Sequence, residues 1–354
     1  MTAVDPARRV TPVVRIAPAK LNLTLAVVGR RRDGYHDLHS VMAPLALADR
    51  LSFSPDPSPG AGDSLRIDGF DPGPVAENLV VRALEATRRA VRAETGTVPP
   101  ALAVRLEKRI PVAAGLAGGS SDAAATIDGS LEAWSADAVV TPAERHALAL
   151  SLGSDVPFFL AGRPALVEGR GERVLPLRGL RLGRGDIEPG VLLVTPAIAA
   201  HTAGVFAAWA GGAMGQPGIA ARSSEHFAGE FGSGISARQL LERAGVLAAS
   251  NDLLPAAAAV VDGLTPFRRA LARLLVRPIG LSGSGPTLWA LYPSLEDAEL
   301  AAGAVRAAVG TGFITVPGDG APFIAATTFL RTTDEHATDE HATDEHATDD
   351  RRLP

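Results

Sequence analysis

The segment from residue 111 to residue 122 has the composition of an anion-binding loop. It reads Pro-Val-Ala-Ala-Gly-Leu-Ala-Gly-Gly-Ser-Ser-Asp, between a predicted strand at 102–106 and a predicted helix at about 121–135. Glycines before a helix let several backbone N–H groups point at one anion, and the helix N-terminus adds unpaired donors and its positive dipole end. A flexible turn with a serine cap is the alternative, but the unbroken order of strand, loop and helix favours phosphate binding.

A second glycine-rich segment, Ser-Gly-Ser-Gly-Pro-Thr at 282–287, lies between predicted strands at 279–282 and 287–292. Alternating serine and glycine residues allow the backbone to approach a ligand or another loop closely. A simple glycine hairpin would explain this pattern almost as well. The segment is therefore a weaker indication of a binding site than the first one.

Asp155 and Lys20 could supply the polar chemistry that phosphoryl transfer needs. Asp155 follows a helix predicted over about 141–152 and precedes an apolar run. A carboxylate against the core needs a partner, although an exposed aspartate in a turn fits the pattern equally well. Lys20 is the candidate partner, in a predicted strand at 13–28 where Asn22 shares its face at roughly 7 Å. Phosphoryl transfer needs a carboxylate to accept the hydroxyl proton, a cation to offset developing charge, and magnesium.

The composition excludes several classes of protein. The 354 residues allow two domains that share a cleft, and the formal net charge of −5 with 5% aromatic residues gives no sign of nucleic-acid binding. The chain contains no cysteine, and no Gly-Lys-Ser or Gly-Lys-Thr, so thiolate chemistry and a Walker A loop are excluded. Of the 34 basic residues just two, Lys20 and Lys108, are lysines, so each is less expected as a generic surface charge. In the absence of an apolar leader or spanning segment we expect a cytoplasmic protein without membrane contact.

These segments resemble the motifs of the GHMP kinases, a family that includes galactokinase, homoserine kinase and mevalonate kinase. Pro-Ala-Lys-Leu-Asn-Leu at 18–23 is similar to the first motif, 111–122 to the second and 282–287 to the third. The finer similarity, in order and spacing over about residues 14–310, is to the members that phosphorylate a cytidyl-diphosphate sugar alcohol in the non-mevalonate isoprenoid pathway. It rests on four runs, at 17–23, 32–36, 115–124 and 153–159.

The resemblance implies an α+β fold of two domains. The N-terminal α/β domain, like ribosomal protein S5, would span 13–178 and the ferredoxin-like C-terminal domain 179–331. We expect the tail at 332–354, with its Thr-Asp-Glu-His-Ala repeats, to be disordered because its composition cannot form a core. Residues 210–236, rich in glycine and serine, are expected to form a long loop. The protein would be a monomer or a homodimer.

The resemblance also implies transfer of the γ-phosphate of ATP, with Mg²⁺, to the 2-hydroxyl of the substrate. Asp155 would contact the substrate as the base, and Lys20 would hold both that carboxylate and the transferring phosphoryl group. Asn22 would contact the sugar-alcohol part, and the cytosine ring would be held by Tyr35, His36 and Phe206. The ATP phosphates would be bound by Pro111, Gly115, Leu116, Ala117, Gly118, Gly119, Ser120, Ser121, Gly283, Ser284 and Gly285. Ser121 is the candidate metal ligand, without an acidic partner that stands out in the sequence.

Two other functions stay open on the sequence alone. One is another GHMP kinase, acting on homoserine or mevalonate, and the run Gly34-Tyr35-His36 argues against it. The other is a non-catalytic protein of this fold that binds a nucleotide. A pure binding protein would not need both Lys20 and Asp155, and turnover with each acceptor would discriminate the three.

Overall fold

The computed structural model describes residues 12–55, 62–182, 186–212 and 218–331. Its strands are β1 (Val13–Asn22), β2 (Ala26–Arg30), β3 (His36–Pro55), β4 (Ser64–Gly69), β5 (Leu102–Lys108), β6 (Ala165–Gly169), β7 (Arg173–Pro176), β8 (Leu180–Arg181), β9 (Gly190–Thr195), β10 (Ile235–Ser236), β11 (Gly280–Leu281), β12 (Leu288–Tyr292) and β13 (Phe323–Thr328). Its α-helices are α1 (Leu79–Thr95), α2 (Gly118–Ala133), α3 (Pro142–Leu152), α4 (Val156–Ala161), α5 (Thr202–Ala210), α6 (Ile219–Ser233), α7 (Ala237–Glu242), α8 (Ala244–Ala249), α9 (Leu254–Val260), α10 (Leu264–Leu275) and α11 (Leu295–Gly310). None of the helices in these ranges has the length and apolar character needed to cross a membrane.

A seven-stranded sheet forms the first half of the fold, around the 20-residue strand β3. The first part of β3 pairs with β2 and β6, and its second part with β1 and β5, all antiparallel. Leu51 and Phe53, at alternate positions of β3, belong to the core cluster that α1 and α2 cover. The register places Asn22 opposite Met42 and Lys20 opposite Pro44, so the end of β1 lies beside the middle of β3.

A four-stranded antiparallel sheet, in the order β11-β12-β9-β13, forms the second half. The central strand β9 is buried on both faces, as its continuous apolar run predicts. Leu192 and Val194 contribute to the core shared with α9, α10 and α11, whereas Val191 and Leu193 join a core with β1 and β3 of the first half. This shared core brings the loops of the two halves to a common place.

The predicted α+β class is confirmed, and so are two helix starts. The Asn78 side chain accepts a hydrogen bond from the Val80 N–H at the start of α1, and Thr141 and Glu144 form a capping box before α3. The domain boundary between residues 178 and 179 stays a prediction. The tail at 332–354 lies outside the described residues.

The prediction of a long loop at 210–236 is wrong for most of that segment. Residues Ile219–Ser233 form the helix α6. The side chains it buries are those of Ala220, Ser224, Phe227 and Phe231. Their spacing of four, three and four residues places them on one helical face. The abundance of glycine and serine around this face concealed the pattern.

The strand predicted over 13–28 is interrupted at residues 23–25. The backbone N–H groups of Leu23 and Thr24 both donate to the Val41 carbonyl, at 2.9 and 3.4 Å, and Leu25 forms an isolated bridge to Asn251. The interruption turns the backbone of Thr24 out of the regular ladder.

Candidate active site

The two glycine-rich segments pack directly against each other. Gly115 has a φ of 78°, and a Cβ there would overlap the Ser282 carbonyl and lie 2.9 Å from the Gly285 oxygen. The Ser282 hydroxyl donates to the Gly115 carbonyl at 3.0 Å, and the Thr287 N–H donates to the Ala114 carbonyl at 3.2 Å. Glycine at 115 is therefore required by the close approach of the second loop. Residues 282–287 therefore pack against the first glycine-rich segment and do not form an isolated hairpin.

Asn251 holds the second glycine-rich segment by hydrogen bonds to its backbone. Its Nδ2 group donates to the carbonyls of Leu281 and Gly283, at 2.9 and 3.0 Å, and its Oδ1 accepts from the Leu253 N–H at 2.9 Å. Asn251 could not be singled out from the sequence. Asn251 lies between α8 and α9, and the role of such an asparagine can be recognised only when the residues that it contacts are known.

Lys20 lies where the first motif meets both glycine-rich segments. Its side chain is 3% exposed, and its Nζ donates to Asn22 Oδ1 at 2.5 Å and to the Gly115 carbonyl at 2.7 Å. A Cβ on Gly283 would lie 3.0 Å from the same Nζ. Burial lowers the pKa of Lys20, and the negative charge of Asp155 opposes that change. An ammonium has three donors, so two are committed to these protein oxygens.

Asp155 lies at the N-terminus of α4, partly exposed, and its side chain makes no capping hydrogen bond. In the described part of the chain its carboxylate forms no ion pair within 4.0 Å, so the direct contact with Lys20 that we predicted is not formed. The Lys20 ammonium donates instead to Asn22 and Gly115, which occupy two of its three donors. The two charges interact through space, and the partly exposed carboxylate has no hydrogen-bond partner among the described residues.

The start of α2 carries the hydroxyls predicted to meet phosphate. Ala117 is the residue before the helix, with a φ of 53°. Gly119 is exposed and Ser120 is partly exposed, whereas Leu116 and Gly118 are buried. Ser121 is buried, and its hydroxyl has no hydrogen-bond partner among the described residues. A buried hydroxyl without a partner is costly unless a ligand or a cation satisfies it. The described residues contain no group of three or more His, Cys, Asp or Glu that could hold a metal.

Of the residues predicted to hold a pyrimidine, His36 and Phe206 form an aromatic cluster with Trp209, whereas Tyr35 contacts Arg170. His36 stacks on Phe206, with ring centroids 5.1 Å apart and planes at 18°, and Trp209 contacts it edge-on at 5.3 Å. Tyr35 is 52% exposed and lies under the guanidinium of Arg170, 5.2 Å from it. Burial, with the positive charge of Arg30, lowers the pKa of His36, so its ring is neutral at neutral pH. The sequence offered no signal for Trp209 or Arg170.

A buried charge cluster under the phosphate loop was missed by the sequence reasoning. The Lys108 ammonium contacts Asp49 and, at 2.8 Å, Asp122, and all three side chains are less than 5% exposed. Asp49 Oδ1 also accepts from the backbone N–H groups of Arg109 and Ile110, at 2.5 and 2.8 Å. The cluster therefore fixes the point where β5 leads into the loop. Its members lie too far apart in sequence for a motif to reveal them.

This cluster predicts a pH dependence of stability. Burial and the neighbouring Asp49 charge raise the pKa of Asp122 to about 7, although Lys108 opposes the change. Between about pH 4 and pH 7 the folded protein therefore holds a proton on Asp122 that the unfolded chain has already lost. The contribution of this proton to the free energy of unfolding is full below about pH 4 and is lost as the pH rises to about 7. We expect the stability of the wild type, relative to Asp122→Asn, to fall with rising pH over that range. Urea unfolding of both proteins at pH 5 and pH 7.5 measures this; parallel pH dependences would contradict it.

Comparison with known proteins gives a consistent family. Residues 78–163 match the family model described as the GHMP kinases N terminal domain. The chain is 37% identical over 297 residues to the 4-diphosphocytidyl-2-C-methyl-D-erythritol kinase of Pelotomaculum thermopropionicum, covering 83% of this chain and 94% of that protein. It is 37% identical over 298 residues to the protein of the same name from Deinococcus radiodurans, covering 83% and 90%.

Solved structures agree with these relatives. A crystal structure of 4-(cytidine 5'-diphospho)-2C-methyl-D-erythritol kinase is 31% identical, with a TM-score of 0.61, and covers 89% of this chain and 99% of that one. The mevalonate kinase of L. major in complex with R-mevalonate is 15% identical, with a TM-score of 0.58, and covers 92% and 98%. At that identity the second likeness shows the fold alone.

Proposed function

Because the chain belongs to the 4-diphosphocytidyl-2-C-methyl-D-erythritol kinases, a branch of the GHMP kinases, we propose that it transfers the γ-phosphate of ATP to the 2-hydroxyl of that compound. The activity is that of an ATP-dependent small-molecule kinase in non-mevalonate isoprenoid synthesis. The observation that carries the proposal for this site is the meeting of three separate motifs at Lys20, whose Nζ contacts Asn22 and Gly115 and faces Gly283. Lys20 and Gly115 are 95 positions apart in the sequence, so their contact shows that the first two motifs meet in the folded chain.

In the proposed reaction the acceptor oxygen forms a bond to the γ-phosphorus while the bond from that phosphorus to the leaving oxygen of ADP breaks. Asp155 accepts the hydroxyl proton, for which its carboxylate is free of protein hydrogen bonds in the described residues. Lys20 offsets charge on the transferring group in a buried place where electrostatic interactions are strong. The backbone N–H groups around Gly115 to Ser120 and the N-terminus of α2 bind the phosphates.

Mg²⁺ is proposed to bind together with ATP. The buried Ser121 hydroxyl, which lacks a partner among the described residues, fits one oxygen ligand of a hard cation. Since no acidic metal cluster occurs in those residues, phosphate oxygens and water would supply most of the coordination. The ion would neutralise charge on the phosphate oxygens.

The cytidyl end of the substrate is proposed to bind at the aromatic cluster. A neutral imidazole offers one donor and one acceptor, which suits the hydrogen-bonding edge of cytosine, and His36 Nε2 is buried without a protein partner in the described residues. Tyr35 and Phe206 supply ring faces for stacking. Because His36 and Phe206 are stacked on each other, ring binding requires a small rearrangement of this pair. Asn22 binds the sugar-alcohol part.

We also propose a cytoplasmic location, because ATP and the acceptor are small polar molecules of the cytoplasm. The proposed assembly is a monomer or a homodimer. Another acceptor of the same family, such as homoserine or mevalonate, is disfavoured by the relatives at 37% identity. A non-catalytic role is disfavoured by the open carboxylate of Asp155 beside the Lys20 charge.

The test is ADP release from magnesium-ATP with each acceptor in turn. We expect release with 4-diphosphocytidyl-2-C-methyl-D-erythritol and none above background with homoserine or mevalonate. Release with another alcohol alone would overturn the acceptor assignment but keep the kinase chemistry. Nucleotide binding without release for any acceptor would favour the non-catalytic alternative.

A further inference from the structure

Ser40 lies on β3, outside the three motifs that resemble those of the family. Its side chain is 2% exposed. Its hydroxyl makes two hydrogen bonds: it donates to the Thr24 carbonyl at 2.5 Å, and it accepts from Asn22 Nδ2 at 2.8 Å. Asn22 in turn accepts from the Lys20 ammonium at 2.5 Å. A continuous path of buried hydrogen bonds therefore runs from Thr24 to Lys20.

The directions of these bonds follow from the donor inventory. A carbonyl oxygen can only accept, so the single hydrogen of the Ser40 hydroxyl is committed to Thr24. Ser40 can then only accept from Asn22, and the amide must turn its NH₂ group toward β3. This leaves Asn22 Oδ1 facing Lys20, whose ammonium can only donate. The opposite orientation of the amide would place NH₂ against the ammonium and leave two buried groups unpaired.

The interruption of β1 makes this arrangement available. Because residues 23–25 leave the ladder, the Thr24 carbonyl is free to accept from a side chain rather than from a neighbouring strand. The Thr24 hydroxyl accepts from the Val41 N–H at 3.0 Å, and it also lies 2.8 Å from Ser224 of α6. The break is thus held in place from two sides.

We infer that Ser40 is a positioning residue for phosphoryl transfer, which fixes the amide of Asn22 and through it the ammonium of Lys20. The inference rests on the proposed function for its kinetic consequence, but the hydrogen-bond path exists without it. Ser40 touches neither substrate in this role. Loss of the Ser40 hydroxyl acts through Asn22. The Lys20 ammonium is then displaced and less well stabilised beside the reacting atoms.

The presence of just two lysines, Lys20 and Lys108, permits a direct test that needs no substrate. Isotope-labelled lysine gives two side-chain NMR signals, which a Lys20→Met variant assigns. Ser40→Ala frees the Asn22 amide, so the charged form of Lys20 loses its fixed acceptor and its titration should move to lower pH, while Lys108 is unchanged. Asp155 is the charged group that acts on Lys20 from α4, and it is the same in both proteins.

The matched control is Ser130→Ala. Ser130 is also fully buried, and its hydroxyl donates to the Ile127 carbonyl within α2. It should lose a similar amount of stability but leave the Lys20 signal where it is. If Ser40→Ala leaves the Lys20 titration unmoved, or if Ser130→Ala shifts it equally, the inference is overturned.

Kinetics supply the second readout, with the acceptor that gives ADP release. We expect Ser40→Ala to lower kcat about tenfold, the value of one buried hydrogen bond, with a smaller change in KM for ATP. In an Asn22→Ala background the same change should add less than about twofold, because Ser40 acts through Asn22. Multiplicative losses would overturn the inference. Absence of turnover in the wild type would contradict the proposed function and leave the NMR result standing by itself.

Discussion

Asp155→Asn is expected to lower kcat by roughly 10²–10⁴-fold while ATP and the acceptor still bind. The substitution keeps the size of the side chain and removes the carboxylate that is proposed to accept the hydroxyl proton. Asp155 is partly exposed and makes no capping hydrogen bond, so the fold should keep its stability. The loss should therefore appear in kcat, with KM values changed by less than about threefold. Steady-state ADP release and calorimetric titration of ATP measure the two effects.

The control for this variant is Asp297→Asn. Asp297 also lies at the start of a helix, α11, where it interacts with Ser294, and it has no place in the site. Its kcat should equal that of the wild type. Near-normal turnover in Asp155→Asn would remove Asp155 from the catalytic role, and loss of nucleotide binding would show that the carboxylate acts in binding instead.

The glycine-rich loops could be predicted because the backbone conformation that each one needs restricts the residue types within the loop itself. Within 111–122, Gly115 has a positive φ, which favours glycine whatever residues pack against it. The caps at Asn78 and Thr141 are local as well. Such requirements act over a few residues, and a single sequence is sufficient to recognise them.

The contacts that could not be predicted join residues distant in sequence. Lys20 was expected to pair with Asp155, but Asn22 and Gly115 provide nearer oxygens, and which acceptor is nearer depends on the final packing of β1. The helix α6 was missed because its glycine and serine residues are typical of loops. Its apolar side chains can be recognised as one buried face only when the first sheet is known to pack against them. The stacking of His36 rather than Tyr35 on Phe206 likewise depends on how α5 meets β3.

Lys108 makes the strongest prediction about stability. Lys108→Met removes the cation between Asp49 and Asp122, which are both almost fully buried. Breaking a buried pair by removing one partner leaves uncompensated charge, and we expect a loss of about 3–5 kcal/mol in the free energy of unfolding. Urea denaturation measures it. The neighbouring Arg109→Met is the matched control, since Arg109 is exposed and pairs with Glu107 at 3.0 Å, which predicts a loss below about 1 kcal/mol.

The same cluster links stability to nucleotide binding. Asp49 holds the N–H groups of Arg109 and Ile110, and Lys108 lies so close to Gly118 that a Cβ there would be 2.8 Å from its Nζ. Lys108→Met should therefore loosen the loop that is proposed to bind ATP, and raise the KM for ATP in the folded fraction. Without the Lys108 charge the pKa of Asp122 rises further, so its buried carboxyl must hold a proton at pH 7.5. Asp122→Asn removes that requirement, so the double variant should recover part of the lost stability at this pH. A double variant less stable than Lys108→Met, or a Lys108→Met loss no larger than that of Arg109→Met, would show that the ion cluster does not hold this loop.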